Sequence, residues 1–248
     1  MLILQQFVSD PGPCAYLPQH VSRLEYSIAP VLAPEEYEAL MNQGHRKFGM
    51  AFFRPVCAHC AECRPIRFSV ERFKPDRSQR RCFAENAALD VRVSAPVCDD
   101  ERLELFSLYH EEQRERKLWP AQPEGPEEYE FSFVRNQIPA AEIAVYAHGK
   151  LAGVLLAELT PTVISAVYHY YDPALRARGL GTFLILQCVE LARELGRPWI
   201  YLGYYVRGCQ SMAYKTRFRP CELMDAAGDW RPLAEQDTQP RTPTRAVR

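Results

Sequence analysis

The order of predicted elements between Glu142 and Tyr204 limits the fold of this chain more than any other feature. Runs of alternating or apolar residues predict four strands, and apolar periodicity predicts one long helix. In chain order these are Glu142–His148, Leu151–Leu159, Val163–Tyr171, the helix from about Gly179 to Leu195, and Trp199–Tyr204. Three strands, a glycine-containing turn, a helix and a further strand indicate a mixed sheet whose helix start faces a ligand. The predicted fold class is α/β (α+β).

The first half of the chain predicts shorter elements around a cysteine-rich loop. The strands are expected over Ser22–Ala29, Ala51–Val56, Pro65–Val70 and Leu89–Ser94, and the helices over Pro34–Met41, Asp76–Ala87 and Asp99–Leu118. Proline and glutamate cluster in Pro120–Glu128, so we expect a domain boundary there. The predicted parts are an N-terminal cysteine-containing domain (1–120), a C-terminal domain (121–232) and a disordered tail (233–248) without apolar periodicity.

The charge of the chain is balanced in total and uneven in distribution. The net charge is −1 over 248 residues, which excludes a bulk attraction to nucleic acid or membrane. Residues 45–92 nevertheless hold eleven Lys or Arg against five Asp or Glu, and residues 173–219 hold eight against two. An acidic block over 99–130, with four basic against eleven acidic residues, separates them. The two basic blocks keep an anionic partner open.

Nothing in the sequence predicts export or membrane insertion. No stretch approaches the roughly 18–20 apolar residues that cross a bilayer, and the start lacks a basic region before Asp10-Pro11. We therefore expect a cytoplasmic protein with no membrane partner. The nine cysteines are an odd number in such a chain, which favours metal binding, catalysis or burial over a disulfide framework.

Three closely spaced thiols form the first candidate site. Cys57, Cys60 and Cys63 follow a C-x₂-C-x₂-C pattern, and Cys14 lies upstream beside Gly12 and Pro13. Thiolates separated by two residues can bind one metal ion, and four of them satisfy a tetrahedral zinc site or an iron–sulfur cluster. His59 is an alternative ligand. The alternative is a set of reduced, partly buried thiols in a tight loop.

Two further segments carry side chains or backbone suited to anions. Arg178, Gly179, Gly181 and Thr182 stand at a strand-to-helix turn, where glycines let backbone N–H groups approach a phosphate. The alternative there is a glycine turn with no ligand. The segment Tyr201–Pro220 interleaves aromatic and basic residues, which suits either base stacking or a strand with one buried aromatic face.

Several motifs together resemble the arginyl-tRNA–protein transferase family. The motifs are Cys14-Ala-Tyr-Leu-Pro18, Gly44-His-Arg-Lys-Phe-Gly49, Phe53-Arg-Pro-Val-Cys57 with Cys60, Cys63, Pro65 and Arg67, Tyr171-Asp-Pro173 with Leu180-Gly-Thr182, and Tyr201-Leu-Gly-Tyr204 with Met212, Tyr214, Lys215, Phe218 and Pro220. They occur in order over about residues 7–232. The short length resembles the bacterial, leucyl-transferring branch. That branch usually carries a bulkier aromatic and two arginines in place of His45, Arg46 and Lys47.

The resemblance implies an N-acetyltransferase-like fold that uses aminoacyl-tRNA in place of acetyl-CoA. It implies transfer of leucine from leucyl-tRNA to proteins beginning with Asp or Glu, which marks those proteins for degradation. The transfer itself requires no cofactor. Eukaryotic relatives place an iron–sulfur cluster on N-terminal cysteines that include a Cys-x-x-Cys, whereas this chain has Cys14 followed by Leu17, with Cys63 as the extra thiol. The same four cysteines are the candidate ligands for zinc.

Roles for single residues follow from this chemistry. An α-amine has a pKa of about 7.7–8.0, so aminolysis of the tRNA ester needs alignment more than a strong base. Asp172 is the candidate for orienting the amine, with capping of the next turn as its alternative, and Tyr204 is the second catalytic candidate. Lys215 and Arg217 are expected to bind the acceptor carboxylate. Arg46, Lys47, Arg80 and Arg81 are candidates for the same carboxylate or for tRNA phosphates.

Three other functions remain compatible with the sequence. Arginyl transfer by the same mechanism differs only in the donor. The glycine turn alone suits an acyl-CoA-dependent N-acetyltransferase. The cysteines and basic blocks alone suit a non-catalytic, metal-dependent module that binds RNA or protein.

Overall fold

The computed structural model describes residues 1–117, 119 and 125–238. Their strands, in chain order, are β1 (Gln5–Val8), β2 (Gly12–Pro13), β3 (Val21–Ser22), β4 (Leu24–Ile28), β5 (Arg46–Phe48), β6 (Ala51–Pro55), β7 (Arg64–Ser69), β8 (Asp90–Ser94), β9 (Ala140–Ala147), β10 (Lys150–Leu159), β11 (Val163–Tyr171), β12 (Trp199–Tyr205), β13 (Cys221–Met224) and β14 (Trp230–Pro232). The α-helices are α1 (Pro34–Met41), α2 (Arg77–Glu85), α3 (Asp100–Lys117), α4 (Pro126–Tyr129), α5 (Leu180–Glu194) and α6 (Glu235–Thr238). A π-helical turn covers Glu130–Val134, and 3₁₀ helices cover Pro173–Arg178 and Gln210–Arg217.

A mixed sheet organises the described residues. Its eight strands lie in the order β14-β13-β7-β12-β11-β10-β9-β8, and only the β11–β12 pair is parallel. A smaller sheet has the order β1-β4-β6-β5, and β2 pairs with β3. The mixed α/β architecture confirms the fold class predicted from the sequence.

The large sheet is buried on both faces, which explains the nearly continuous apolar run of β10. Leu155 on one face of that strand joins a core cluster with Phe183 and Leu184 of α5. Val154 and its neighbour Leu156 on the other face join a cluster with α3 residues. Because side chains alternate across a strand, a strand between two helical layers must be apolar at successive positions.

A buried ion pair fixes α3 to the sheet. The Arg102 guanidinium donates to both carboxylate oxygens of Glu142 on β9, and the Glu142 side chain is fully buried. Leu105 and Tyr109 pack inward one turn apart, while Leu108 lies on the solvent side. The acidic outer face of this helix therefore coexists with a defined inner face.

Both predicted divisions of the chain differ in detail from the structure. Strands β7 and β8 precede residue 120 yet belong to the large sheet, because β7 pairs with β12 and β13 and β8 pairs with β9. The predicted tail 233–248 is wrong for its first part, since α6 forms there and Asp237 binds Arg64 through an ion pair. The remainder of the predicted tail, and residues 120–124 of the predicted boundary, lie outside the described residues. No helix among the described residues has the length and apolar character to cross a bilayer.

Candidate active site

The parallel strands β11 and β12 pair only at their beginnings. Val163, Ile164 and Ser165 match Trp199, Ile200 and Tyr201, and no further pairing joins the two strands within the described residues. Strand β12 also bulges against β7 after Tyr201, with Gly203 at a φ of 76°. The two strands therefore separate toward their carboxyl ends, where α/β proteins commonly bind ligands. The region around His169, Gly203 and Lys215 at these carboxyl ends is called the cleft below.

The predicted glycine turn forms at the edge of the cleft. Gly179 has a φ of 69° and precedes the first residue of α5. A Cβ atom at Gly181 would lie 3.2 Å from the His169 Nε2 and Tyr171 Cε1 atoms, so a larger residue would require these side chains to shift by a few tenths of an ångström. Thr182 lies half-buried in the first turn of α5. The N-terminus of a long helix therefore stands beside the cleft, as an anion site requires.

Asp172 caps the turn that leads to α5. Its Oδ1 atom accepts a hydrogen bond from the Ala174 backbone N–H at 2.8 Å, at the start of the 3₁₀ helix. The sequence offered two roles for Asp172, orienting the amine or capping the next turn, and this hydrogen bond is the capping contact.

Lys215 lies buried in the cleft. Its ammonium donates to the Tyr204 main-chain carbonyl at 2.6 Å, and the whole side chain is buried. Burial, together with the positive charge of Arg46, lowers the pKa of Lys215 to about 7. The side chain is therefore a cation whose charge is sensitive to pH near neutrality.

Arg46 is the second cation at this place. Its guanidinium packs directly against Gly203, where a Cβ atom would overlap it. Its Nη1 atom is buried and makes no hydrogen bond to any described residue. An unpartnered buried donor of this kind favours an anionic ligand, because leaving it unsatisfied is costly. The structure thus brings together two of the predicted substrate-binding residues, Arg46 and Lys215.

His169 and Lys117 complete the charged groups around the cleft, and neither was singled out from the sequence. Burial and, to a smaller extent, the charges of Lys215 and Lys117 lower the pKa of His169 to about 4, so its imidazole is neutral at pH 7. The ring makes an edge contact with Tyr214 at 5.8 Å. The alternation of side chains along β11 could have indicated His169, because a residue two positions before Tyr171 points to the same face of the strand.

The Tyr204 hydroxyl is directed away from the cleft. It donates to the Gly44 carbonyl at 2.7 Å and lies 3.3 Å from the Phe53 carbonyl, and the side chain is buried. Burial raises the pKa of this hydroxyl well above its ordinary range. The hydroxyl is therefore occupied by main-chain carbonyls, and the main chain of Tyr204 holds Lys215; a catalytic role for Tyr204 stays a prediction.

Lys47 and Arg217 also lie outside the cleft. Lys47 is fully buried, with its ammonium 2.5 Å from a Glu158 carboxylate oxygen and bound to Asn136 and the Gly49 carbonyl. The predicted contact of Lys47 with substrate is therefore wrong, because protein groups enclose its ammonium. Arg217 is half-exposed and donates to Ser78 at the start of α2.

The four predicted metal ligands line one cavity of about 680 Å³, which Tyr204 also borders. Burial raises the pKa of the Cys63 thiol to about 12, and the other three thiols, Cys14, Cys57 and Cys60, add to the rise. Within the described residues, no three Cys, His, Asp or Glu side chains come close enough to hold a metal ion. The four thiols therefore share a cavity without forming a coordination sphere for zinc or for a cluster.

Sequence comparison gives matches along most of the chain. Family models described as arginine-tRNA-protein transferase match residues 12–81 with the N-terminal model and residues 101–225 with the C-terminal model. The aspartate/glutamate leucyltransferase of Stenotrophomonas maltophilia (strain K279a) is 40% identical over 235 residues, which cover 90% of each chain. That of Saccharophagus degradans is 35% identical over 224 residues, covering 89% of this chain and 93% of the relative.

Structural comparison shows the same general fold in more distant proteins. The crystal structure of FemX matches with a TM-score of 0.52 at 10% identity, covering 83% of this chain and 82% of FemX. The C-terminal domain of an Agrobacterium fabrum protein assigned as a lysylphosphatidylglycerol synthetase matches with a TM-score of 0.51 at 12% identity, covering 85% and 79%. These neighbours confirm the predicted N-acetyltransferase-like fold.

Proposed function

The chain belongs to the arginine-tRNA–protein transferase family, and from that membership we propose that it transfers leucine from leucyl-tRNA to the α-amine of proteins that begin with Asp or Glu. We place this activity in the cytoplasm, where it marks its acceptors for degradation. The tRNA supplies an activated ester and the acceptor supplies the nucleophile, so the transfer requires no cofactor.

The pair of cations in the cleft carries this proposal. Arg46 lies near enough to Lys215 that its charge lowers the pKa of Lys215. Arg46 packs against Gly203 and Lys215 donates to the Tyr204 carbonyl, so both contact the bulged part of β12. Lys215 is buried and Arg46 is half-buried with one unpartnered donor, and this pair suits the side-chain carboxylate of an acceptor that begins with Asp or Glu. Acceptors beginning with Lys or Ala offer no such carboxylate and are expected to fail.

The reaction follows from alignment. A fraction of the acceptor α-amine is neutral at pH 7 and attacks the ester carbonyl of the donor. The C–O bond to the ribose breaks as the new C–N bond forms, and the proton lost by the amine reaches the ribose oxygen, with the adjacent 2′-hydroxyl as a relay. The protein contributes by fixing the carboxylate end of the acceptor, which converts a bimolecular encounter into an aligned one.

The experiment is incubation with charged tRNA and a peptide that begins with Asp, followed by mass analysis. The gain of one leucyl group from leucyl-tRNA, absent from a matched peptide beginning with Lys, is the expected result. Gain of arginine from arginyl-tRNA alone would assign the other donor. A peptide that gains no aminoacyl mass from any charged tRNA would reject aminoacyl transfer, and stabilisation by acetyl-CoA would then favour an N-acetyltransferase.

A glycine pair tests the position of Arg46 without changing a charge. Replacement of Gly203 by Ala is expected to raise the KM for Asp-starting peptides about tenfold or more, because the methyl group displaces the guanidinium and weakens a contact of about 1.5–3 kcal/mol. Gly149→Ala is the matched control, since Gly149 has a φ of 80° and nothing within 4 Å of an added Cβ. Both variants bear the same backbone strain, so equal KM values in steady-state assays would contradict the assignment of Arg46.

We propose separately that Cys14, Cys57, Cys60 and Cys63 bind zinc or an iron–sulfur cluster once their side chains move closer together. Elemental analysis after anaerobic purification is expected to find zinc or iron bound to the wild-type protein and lost from Cys60→Ser/Cys63→Ser. A metal-free wild-type protein with full transferase activity would contradict this proposal and leave the transfer mechanism intact.

A further inference from the structure

The N-terminal basic block contributes a helix face that the proposed reaction does not use. Helix α2 turns Gln79 and Cys82 inward, while Arg77, Arg80 and Arg81 are exposed. Residues three and four apart are neighbours on a helix surface, so the three arginines share one outward face. Like charges at these spacings lower helix stability by a few tenths of a kcal/mol. The exposed Arg81–Glu85 pair offsets this repulsion only in part.

Two more arginines extend this face, one at each end of α2. Arg217 donates to the Ser78 hydroxyl at 2.7 Å at the start of the helix. Arg178 donates to the Glu85 carbonyl at 2.9 Å at its end. The set Arg77, Arg80, Arg81, Arg178 and Arg217 is called the basic face below.

The basic face is joined rigidly to both sides of the cleft. Gln79 donates to the Arg217 carbonyl at 3.2 Å, close in sequence to Lys215. Asn86 donates to the Arg178 carbonyl at 2.8 Å, and the Cys82 thiol donates to the Gly179 carbonyl at 3.4 Å. These bonds fix α2 against the glycine turn and against the segment that carries Lys215. A ligand lying on the basic face therefore ends beside the reaction centre.

The charges on this face are largely uncompensated. Two carboxylates lie among the five arginines: Glu85 pairs with Arg81 at 3.3 Å, and Asp76 lies 3.7 Å from Arg217. Arg77 forms no side-chain hydrogen bond or ion pair with any described residue, and Arg80 donates to the Pro75 carbonyl. Guanidinium groups in this arrangement bind phosphate oxygens well.

We propose that the basic face binds the phosphate backbone of the tRNA acceptor arm. This inference rests on the proposed function, which requires the aminoacylated 3′ end to reach the cleft. The acceptor arm is the part of the tRNA that continues into that end, so its phosphates must pass a surface next to the glycine turn. Contacts of this kind position a nucleic acid without reading its sequence.

The test measures binding of an uncharged RNA minihelix that reproduces the acceptor and T arms. The triple variant Arg77→Gln/Arg80→Gln/Arg81→Gln keeps helix-forming residues at exposed positions. We expect its Kd at low salt to rise about tenfold or more, and the slope of log K against log salt to become shallower by about one for each lost phosphate contact. The matched control is Arg193→Gln/Arg135→Gln, which removes two exposed arginines elsewhere and should keep the wild-type Kd and slope.

Separate outcomes distinguish this inference from the proposed function. If the triple variant binds the minihelix with the wild-type Kd and salt slope, the proposal that the basic face binds tRNA is wrong, even if the protein transfers leucine. If the triple variant loses binding to vesicles of anionic lipid but keeps the wild-type RNA affinity, the basic face binds a membrane and the tRNA proposal is also wrong. If the wild-type protein binds the minihelix through this face but transfers no leucine to Asp-starting peptides, the surface stands and the proposed function fails.

Discussion

Replacement of Lys215 by Met is expected to raise the KM for Asp- and Glu-starting peptides by about ten- to a hundredfold. The variant keeps the apolar stem but removes a charge-assisted contact of about 1.5–3 kcal/mol to the acceptor carboxylate. Steady-state kinetics at saturating leucyl-tRNA measure the change. Lys150→Met is the control, because Lys150 is exposed at the start of β10 and away from the cleft.

The same lysine predicts a pH dependence. The pKa of Lys215 is lowered to about 7, so the ammonium form predominates below pH 7 and is lost as the pH rises through that value. The KM for Asp-starting peptides should therefore increase from pH 7 to pH 9 by up to about tenfold per pH unit. In Lys215→Met this increase should disappear. An equally steep increase in the variant would assign the titration to another group.

Replacement of Lys47 by Met is expected to lower the free energy of unfolding by about 3–5 kcal/mol. The substitution leaves the Glu158 carboxylate buried without its partner, and an uncompensated buried charge is strongly destabilising. Urea denaturation measures the loss. The double variant Lys47→Met/Glu158→Leu should recover much of it, because both buried charges are then absent.

The exposed pair of Arg92 and Asp90 provides the control for this prediction. Arg92→Met should change the free energy of unfolding by less than about 1 kcal/mol, since the pair is open to solvent. A Lys47→Met protein of normal stability but raised peptide KM would contradict the structural role and restore Lys47 as a substrate contact.

Local patterns in the sequence were sufficient for the elements around the cleft. Alternation predicted β11 over Val163–Tyr171, and the structure has the same bounds. The predicted helix start at Gly179 is one residue from the observed start of α5, because Gly179 has a positive φ and so lies outside the first helical turn. Strand period and helix punctuation are local properties, so they could be predicted without tertiary contacts.

The separate roles of Arg46 and Lys47 depend on β5, a strand of three residues that was not predicted from the sequence. Neighbouring residues of a strand point to opposite faces, so β5 must direct Arg46 and Lys47 to different environments. Because β5 was not predicted, the two residues were treated as equivalent cations. Arg46 meets Gly203, whereas Lys47 meets Glu158.

The contacts that assemble the cleft depend on distant parts of the chain. The pairing of β7 with β12 joins residues more than a hundred positions apart and has no local signal. The early separation of β11 from β12 depends on a bulge in that pairing. For the same reason the sequence could not indicate that the Tyr204 hydroxyl binds the main-chain carbonyls of Gly44 and Phe53.

The most direct test of the central claim compares Asp- and Asn-starting peptides in the wild-type protein and in Lys215→Met. Aspartate and asparagine have nearly the same shape, so the ratio of their kcat/KM values isolates recognition of the carboxylate charge. The cleft described here predicts a ratio of about ten to a hundred in the wild-type protein, collapsing toward one in the variant. A ratio that is unchanged by Lys215→Met would contradict recognition of the acceptor carboxylate by Lys215.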